Sequence, residues 1–233
     1  MMIKVMSFNT QHCKNYISKQ IDINFFADYI KSTGADVIGL NEMRGEGPRA
    51  DYTDQTKALA DALGYNYYFA KAFDVGGENP YGNAVLSRFP ITSAKTVKIP
   101  NPEGTEKFEP RCVLVAKISL PIGEYTFLIT HFGLSKAEQQ NAFNTVVQNI
   151  ETEKCILMGD FNITPDNNII SELSQKMNDT AALFDCEKFS HPSDDPKIKI
   201  DYIFTSKDVN TTFADIPPAV VSDHRPYVIT IGE

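Results

Sequence analysis

The feature that most constrains this chain is a series of short apolar runs that stop on polar, chemistry-bearing residues. "VMSFN" reaches Asn9, "VIGLNE" reaches Asn41 and Glu42, "FLITH" reaches His131, and "CILMGDFN" reaches Asp160 and Asn162. Near the C-terminus "IDYIF" opens on Asp201, and "VVSDHRP" sets Asp223 beside His224. Short runs rich in Val, Ile, Leu and Phe and bounded by Gly, Asn or Asp read as buried strands. A single strand-end Asp or Asn is more often a turn former or cap bonded to its own backbone, and a single His is more often structural than catalytic. Repetition changes the meaning. Strands that all deliver such residues at their ends can converge on one rim of a sheet sandwich and build a site, and of only four histidines two fall in these contexts.

Between the runs, residues 3–8 and 36–41 read as strands, joined by a helix that places Ile21, Phe25 and Tyr29 on one face and closes at Gly34. A second helix from about 52 to 63 stops at Gly64, followed by the strand-like "YNYYFAKAF". The segments "NAVLSRFPITSAKTVKI", "RCVLVAKISL" and "EYTFLITHF" are consecutive β runs. Ser135 with Glu138 forms a capping box that opens a helix near 136–150, and Thr164-Pro165 reads as an N-cap followed by Pro at the first helical position. "KIDYIFTS" and "PYVITI" are the last strands, with an unassigned stretch between them. Many strands with a few interspersed helices predict an α/β sandwich, sheet layers covered by helices. No repeat or linker-like run divides the 233 residues, so one domain is expected.

Composition narrows the partners. No run of about 18 apolar residues could cross a bilayer, and "MMIKVMSFNT" alternates like a strand, without the basic flank and unbroken apolar run of a signal peptide. The four cysteines are far apart and form no CxxC pair, which argues against a zinc knuckle or a disulfide framework. A monomer in the reducing cytoplasm is expected. The formal net charge of −8 argues against a grip on duplex nucleic acid, which needs a basic surface.

The chemistry that fits the strand ends is metal-assisted attack of water on phosphorus. A hard cation, Mg²⁺ or in its place Mn²⁺, takes oxygen ligands, and Glu42 with Asn9 or Asp223 could supply them. His224 paired with Asp201 suits a base near neutral pH, and Asn9, Asn162 and His131 could present donors to the phosphoryl oxygens. A nucleophile elbow, an HExxH helix, a GxxxxGK[ST] loop and a GxGxxG turn after a strand are all missing from the sequence.

The ordered series "SFN", "NE", "YGNAVLSRFPI", "THFGLS", "GDFN", "IDYIF" and "SDH" resembles the endonuclease/exonuclease/phosphatase superfamily, which includes DNase I-like nucleases, from Met6 to Tyr227. The resemblance implies a four-layered α/β sandwich, with two central, mostly antiparallel sheets flanked by helices, and a Mg²⁺-dependent phosphoesterase. By position it implies Glu42 as principal metal ligand, Asn9 as helper at metal or phosphate, and Asp223 near the metal. Asp160 and Asn162 would position the attacking water and the phosphate, Asp201 would orient His224, and His131 would contact the scissile phosphate. Asn83 and Arg111 fall at positions near the substrate, Asn83 mainly in a supporting role. Asn41 stands where Gln is common, and no residue matches the acidic partner that supports the first His in DNase I-like nucleases. A small phosphorylated metabolite or lipid headgroup is the expected substrate, DNA the alternative, and a non-catalytic binding module the third reading. His191, in the polar "SHPSDD", is expected to be a solvated surface residue, and His12 lies outside the motif series.

Overall fold

The computed structural model describes residues 1–104, 107–186 and 188–232. The chain opens with a strand–helix–strand unit, β1 (Met2–Asn9), α1 (Ile23–Thr33) and β2 (Val37–Arg44). It continues through α2 (Gln55–Leu63), β3 (Asn66–Val75), β4 (Asn79–Ser87), β5 (Ile91–Lys98) and β6 (Cys112–Leu120). A second such unit follows: β7 (Gly123–His131), α3 (Lys136–Val147) and β8 (Cys155–Asp160). The rest is α4 (Asn168–Lys176), β9 (Asn178–Asp179), α5 (Thr180–Leu183), β10 (Asp201–Thr205), β11 (Asn210–Asp215) and β12 (Tyr227–Gly232).

These strands form two six-stranded sheets, ordered β11-β12-β1-β2-β4-β3 and β5-β6-β7-β8-β10-β9. In each sheet the pair inside the strand–helix–strand unit, β1 with β2 and β7 with β8, runs parallel, and the remaining pairs are antiparallel. The sheets face each other across a core that includes Val5, Val37, Val85, Leu114, Ile129 and Met158. Their outer faces are covered in turn. Met6, Phe8, Ile38 and Leu40 pack under Phe26, Ile30 and Leu59 of the first two helices. Val113, Leu128 and Leu157 pack with Phe143, Val146 and Leu173 of α3 and α4. Four layers result, and strands buried on both faces explain why the central runs are apolar at nearly every position. Each fully buried Phe or Ile contributes about 1.5–3 kcal/mol. Gly39 sits where the sheets press closest: a Cβ there would lie 2.8 Å from Ile129 and from Met158.

Several local expectations change. Asp22 caps α1 by accepting from the Phe25 amide, so Ile21 lies outside the helix and the buried stripe is Phe26, Ala27 and Ile30 rather than Ile21, Phe25 and Tyr29. The run "NAVLSRFPITSAKTVKI" is two strands, β4 in one sheet and β5 in the other, and the chain changes sheets through Arg88-Phe89-Pro90. Thr164 does not cap a helix. Its hydroxyl bonds Asp166, and α4 starts later, capped by Asn167. The unassigned stretch before the last strand contains β11, an edge strand with mostly polar, exposed residues. Ser135 and Glu138 do form the reciprocal capping box that opens α3.

Candidate active site

Sheet register places the polar strand ends. His131 lies opposite Asp160 across the parallel β7/β8 pair, and Asp201 lies opposite Asp160 across β8/β10. In the facing sheet Asn9 pairs with Asn41 across β1/β2. Carboxyl ends of β1, β2, β7 and β8 thereby meet at one rim.

Asn41 ties the sheets together there. Its Nδ2 donates to Asn83 Oδ1 at 2.8 Å and to the Thr130 carbonyl at 3.0 Å, and its Oδ1 accepts from the Asp160 amide at 3.0 Å. Asn83 donates in turn to the Cys112 carbonyl at 3.0 Å. With both ends of its amide occupied and its side chain buried, Asn83 bridges the sheets beneath the site.

A bulge between Leu40 and Met43 breaks the β2/β4 register at Asn41-Glu42, and Glu42 takes a positive φ of 61°. Bulges re-aim side chains, and a non-glycine residue held at positive φ costs about 1–3 kcal/mol, a strain typical of functional positions. Glu42 Oε1 accepts from Asn9 Nδ2 at 3.1 Å, and the same Nδ2 donates to Asp160 Oδ2 at 3.0 Å. Asn9 Oδ1 accepts from the Gln11 amide at 3.1 Å, which fixes the carboxamide with its N–H edge toward both carboxylates. In this orientation the Asn9 amide positions Glu42 and Asp160. Tyr81, which the motif series did not single out, bonds Glu42 through its phenol.

The "GDFN" turn has its own logic. Gly159 has φ 146°, and a Cβ there would lie 1.8 Å from the Thr130 carbonyl oxygen, so only glycine lets β8 approach β7 before Asp160. Phe161 turns away from the rim and stacks on Phe132 with ring centroids 4.5 Å apart. Asn162, at φ 52°, donates its backbone amide to Asp160 Oδ1 at 2.9 Å and its side-chain amide to the Phe132 carbonyl at 3.0 Å.

Both histidines converge on Asp160 Oδ2, His131 Nε2 at 3.5 Å and His224 Nε2 at 3.6 Å. His224 Nδ1 lies 2.8 Å from Asp201 Oδ2. His131 is held by a guanidinium rather than an acid: Arg111 Nη1 donates to its Nδ1 at 2.9 Å and also pairs with Glu109 at 3.0 Å. At the other ring nitrogen Asn162 Nδ2 lies 3.0 Å from Nε2, so donors face both sides of the imidazole. Burial, then the charges of Arg111 and His224, hold His131 well below the usual imidazole range, so it is neutral.

His224 is the opposite case. Burial alone would lower it, but the carboxylates of Asp201, Asp160 and Asp223 overcome that and push it up to about 10. Burial, with the charge of Asp201, raises Asp160 to about 7 against the opposing pull of His224 and Asn9. In this charge state His224 carries a proton near neutrality beside Asp160, and the two titrate as one coupled unit.

Burial and Asp223 raise Glu42 as well. A carboxylate raised by burial and by a second carboxylate beside it suits a divalent cation, and the hard oxygens of the two residues fit Mg²⁺. Asp223 is half-buried and accepts from Ser222 Oγ at 2.9 Å. His191 is not a remote surface residue: its ring centroid lies 4.6 Å from that of His224. His12 donates its backbone amide to the Glu42 carbonyl at 2.9 Å, and burial with nearby Arg44 and Lys14 lowers its imidazole to about 4.

Two facing mixed sheets, helices on both outer faces and a rim of carboxylates, amides and histidines define an α/β sandwich of the DNase I-like class. The sequence matches the Endonuclease/Exonuclease/phosphatase family over residues 6–224, and the chain belongs to that family, whose members are hydrolytic phosphoesterases and nucleases that generally depend on a divalent metal. Among curated proteins nothing matches the chain. Solved structures show the same fold. An endonuclease/exonuclease/phosphatase from Beutenbergia cavernae is 20% identical with a TM-score of 0.83, over 99% of this chain and 71% of that one. A mannosyl-6-phosphatase from Bacteroides thetaiotaomicron is 17% identical with a TM-score of 0.77, over 99% of this chain and 100% of that one. The human Nocturnin catalytic domain, solved with a bound sulfate, is 18% identical with a TM-score of 0.72, over 99% and 93% of the two chains.

Proposed function

We propose that this chain is a Mg²⁺-dependent phosphoesterase, with Mn²⁺ able to substitute, that hydrolyses a phosphomonoester or phosphodiester by metal-assisted attack of water. One observation carries the reading: Asp160 Oδ2 sits 3.0 Å from Asn9, 3.5 Å from His131 and 3.6 Å from His224, so acids, amides and imidazoles from both sheets share one point. Glu42 with Asp223 would hold the cation, which polarises a phosphoryl oxygen and offsets negative charge. Asp160 accepts the proton of the attacking water, the His224 imidazolium, oriented by Asp201, gives its own Nε2 proton to the leaving oxygen, and the proton held on Asp160 then restores the imidazolium. Neutral His131, held between Arg111 and Asn162, and the Arg111 guanidinium stabilise charge on the phosphoryl oxygens. Asn162 orients the water.

A small phosphorylated metabolite or lipid headgroup is the favoured substrate over DNA. Net charge is −8, and the arginines near the rim are already paired, Arg111 with Glu109 and Arg44 with Asp51. The mannosyl-6-phosphatase neighbour, matched over its whole chain, adds support for a phosphorylated small molecule. On this reading the chain acts as a monomer in the cytoplasm, for which the four free thiols, three of them buried, are suited. The test is hydrolysis of p-nitrophenyl phosphate, bis-p-nitrophenyl phosphate, an inositol polyphosphate, sphingomyelin and plasmid DNA with Mg²⁺ and with EDTA. EDTA-sensitive turnover that His224→Ala abolishes supports the proposal. Plasmid nicking would put DNA first, and silence with both Mg²⁺ and Mn²⁺ would favour the binding module.

A further inference from the structure

Beside the Glu42 carboxylate lies a second group of ligands with different chemistry. One ligand atom each from His191, Asp223 and His224 lies within 4.8 Å of the others. Two imidazoles and a carboxylate suit a borderline cation such as Zn²⁺, whereas Mg²⁺ prefers an all-oxygen set. His224 already has the support a metal-bound imidazole needs: Asp201 occupies its Nδ1 at 2.8 Å, and Nε2, 3.6 Å from Asp160 Oδ2, becomes the ligand atom when the metal displaces its proton. No described residue bonds the His191 ring, which is half-buried and open to the rim.

Backbone bonds fix the three residues relative to one another. The Ser193 amide donates to the Asp223 carbonyl at 2.8 Å, and the Arg225 amide donates to the Ser190 carbonyl at 2.7 Å. Ser193 Oγ donates to the Ser222 carbonyl, and Arg225 Nε donates to the Ser193 carbonyl at 2.7 Å. These bonds bracket His191 on one segment and Asp223-His224 on the other. A preorganised pair of loops needs only small side-chain rotations to bring three donors onto one ion.

We propose that His191, Asp223 and His224 form a Zn²⁺ site, which shares Asp223 with the hard-cation site at Glu42 and differs from it in its two imidazole ligands, and that its occupation inhibits hydrolysis by taking His224 Nε2 as a ligand. The inhibitory half rests on the phosphoesterase reading; the binding half does not. Calorimetric titration of Zn²⁺ into the protein in excess Mg²⁺ should show one saturable site, and Co²⁺ in its place should give a visible absorption band of mixed nitrogen and oxygen ligation. His191→Phe should weaken Zn²⁺ by at least about tenfold and remove the Co²⁺ band, and His191→Gln provides a second variant should the first misfold. Equal affinity in a folded His191 variant, or no saturable Zn²⁺ binding to wild type, overturns the proposal. With bis-p-nitrophenyl phosphate as substrate, Zn²⁺ should inhibit wild type and inhibit the His191 variant about tenfold less well. Binding without inhibition would overturn the inhibitory half alone, and a protein that binds Zn²⁺ at His191 but hydrolyses nothing would count against the phosphoesterase reading alone.

Discussion

Replacing Asn41 by Leu should unfasten the two sheets behind the site. The side chain has 0% exposure and makes three hydrogen bonds, to Asn83, to Thr130 and from the Asp160 amide. Leucine has nearly the same volume but leaves Asn83 Oδ1, the Thr130 carbonyl and the Asp160 N–H facing hydrocarbon. Each stranded group costs about 1–3 kcal/mol, and burial of the new side chain returns about 1.5–3 kcal/mol. The net loss centres on about 4 kcal/mol, a large share of a stability of about 5–15 kcal/mol. For a chain of this length it lowers Tm by roughly 8–16 °C. Urea unfolding followed by circular dichroism measures it directly. Pairing Asn41→Leu with Asn83→Leu in a double-mutant cycle should give a coupling above about 0.5 kcal/mol, because the two amides bond each other. A loss below about 1 kcal/mol with no coupling would refute the claim that Asn41 staples the sheets.

Three other perturbations test the site. Asp160→Asn should lower turnover by about 10²-fold or more while costing no more stability than one stranded donor, about 1–3 kcal/mol, since its NH2 must face Asn9 or the Asn162 amide; a larger loss of stability would assign Asp160 a capping role instead. In EDTA, the His224 proton stabilises the native state fully below its unfolded pKa of about 6.5, and this contribution fades as pH rises toward about 10. The stability gap between wild type and His224→Gln should therefore narrow from pH 7 to pH 10, and a gap that widens would contradict the assigned charge state. Gly159→Ala should cost about 3 kcal/mol or more, since its Cβ would meet the Thr130 carbonyl; an unchanged urea midpoint would show that β8 can move aside.

Strand ends were legible because alternation, apolar runs and the residues that stop them are local properties, and Asp160, Asn162, Glu42 and the histidines all stand where such runs end. The capping box at Ser135 is local too. What escaped depends on distance through space. Nothing in the sequence around Asn41 shows that its amide crosses to Thr130 and Asp160, because that contact exists only when one sheet faces the other. The orientation of Asn9, set by the Gln11 amide, and the reach of Tyr81 to Glu42 are decided after packing. Arg111 illustrates the same limit: it fills the place beside His131 where an acid was sought, and a guanidinium from the residue before β6 reverses the expected electrostatics of that imidazole. Pro90 was a readable signal that β4 and β5 are separate strands, since proline cannot donate to a ladder. The α1 face shifted because Asp22, as cap, set the helix start at Ile23, two residues beyond Ile21, where the apolar spacing alone would begin it.

The site's position follows from topology. An antiparallel ladder alternates strand direction, so neighbouring strands send their carboxyl ends to opposite rims. A strand–helix–strand crossover restores a parallel pair and sends two carboxyl ends to the same rim, where ligand sites in α/β sheets collect. This chain does so once in each sheet, through α1 for β1 and β2 and through α3 for β7 and β8. Because the sheets then face each other, four carboxyl ends bring Asn9, Asn41-Glu42, His131 and Asp160 together, and Asp201 joins from the start of antiparallel β10. The helices that make the crossovers also cover the outer faces, so one device supplies both the layering and the convergence. Asn41 sits at the junction of the two units, bonding its neighbours in the opposite sheet, which is why a buried amide with no contact to substrate should matter as much to stability as any core residue.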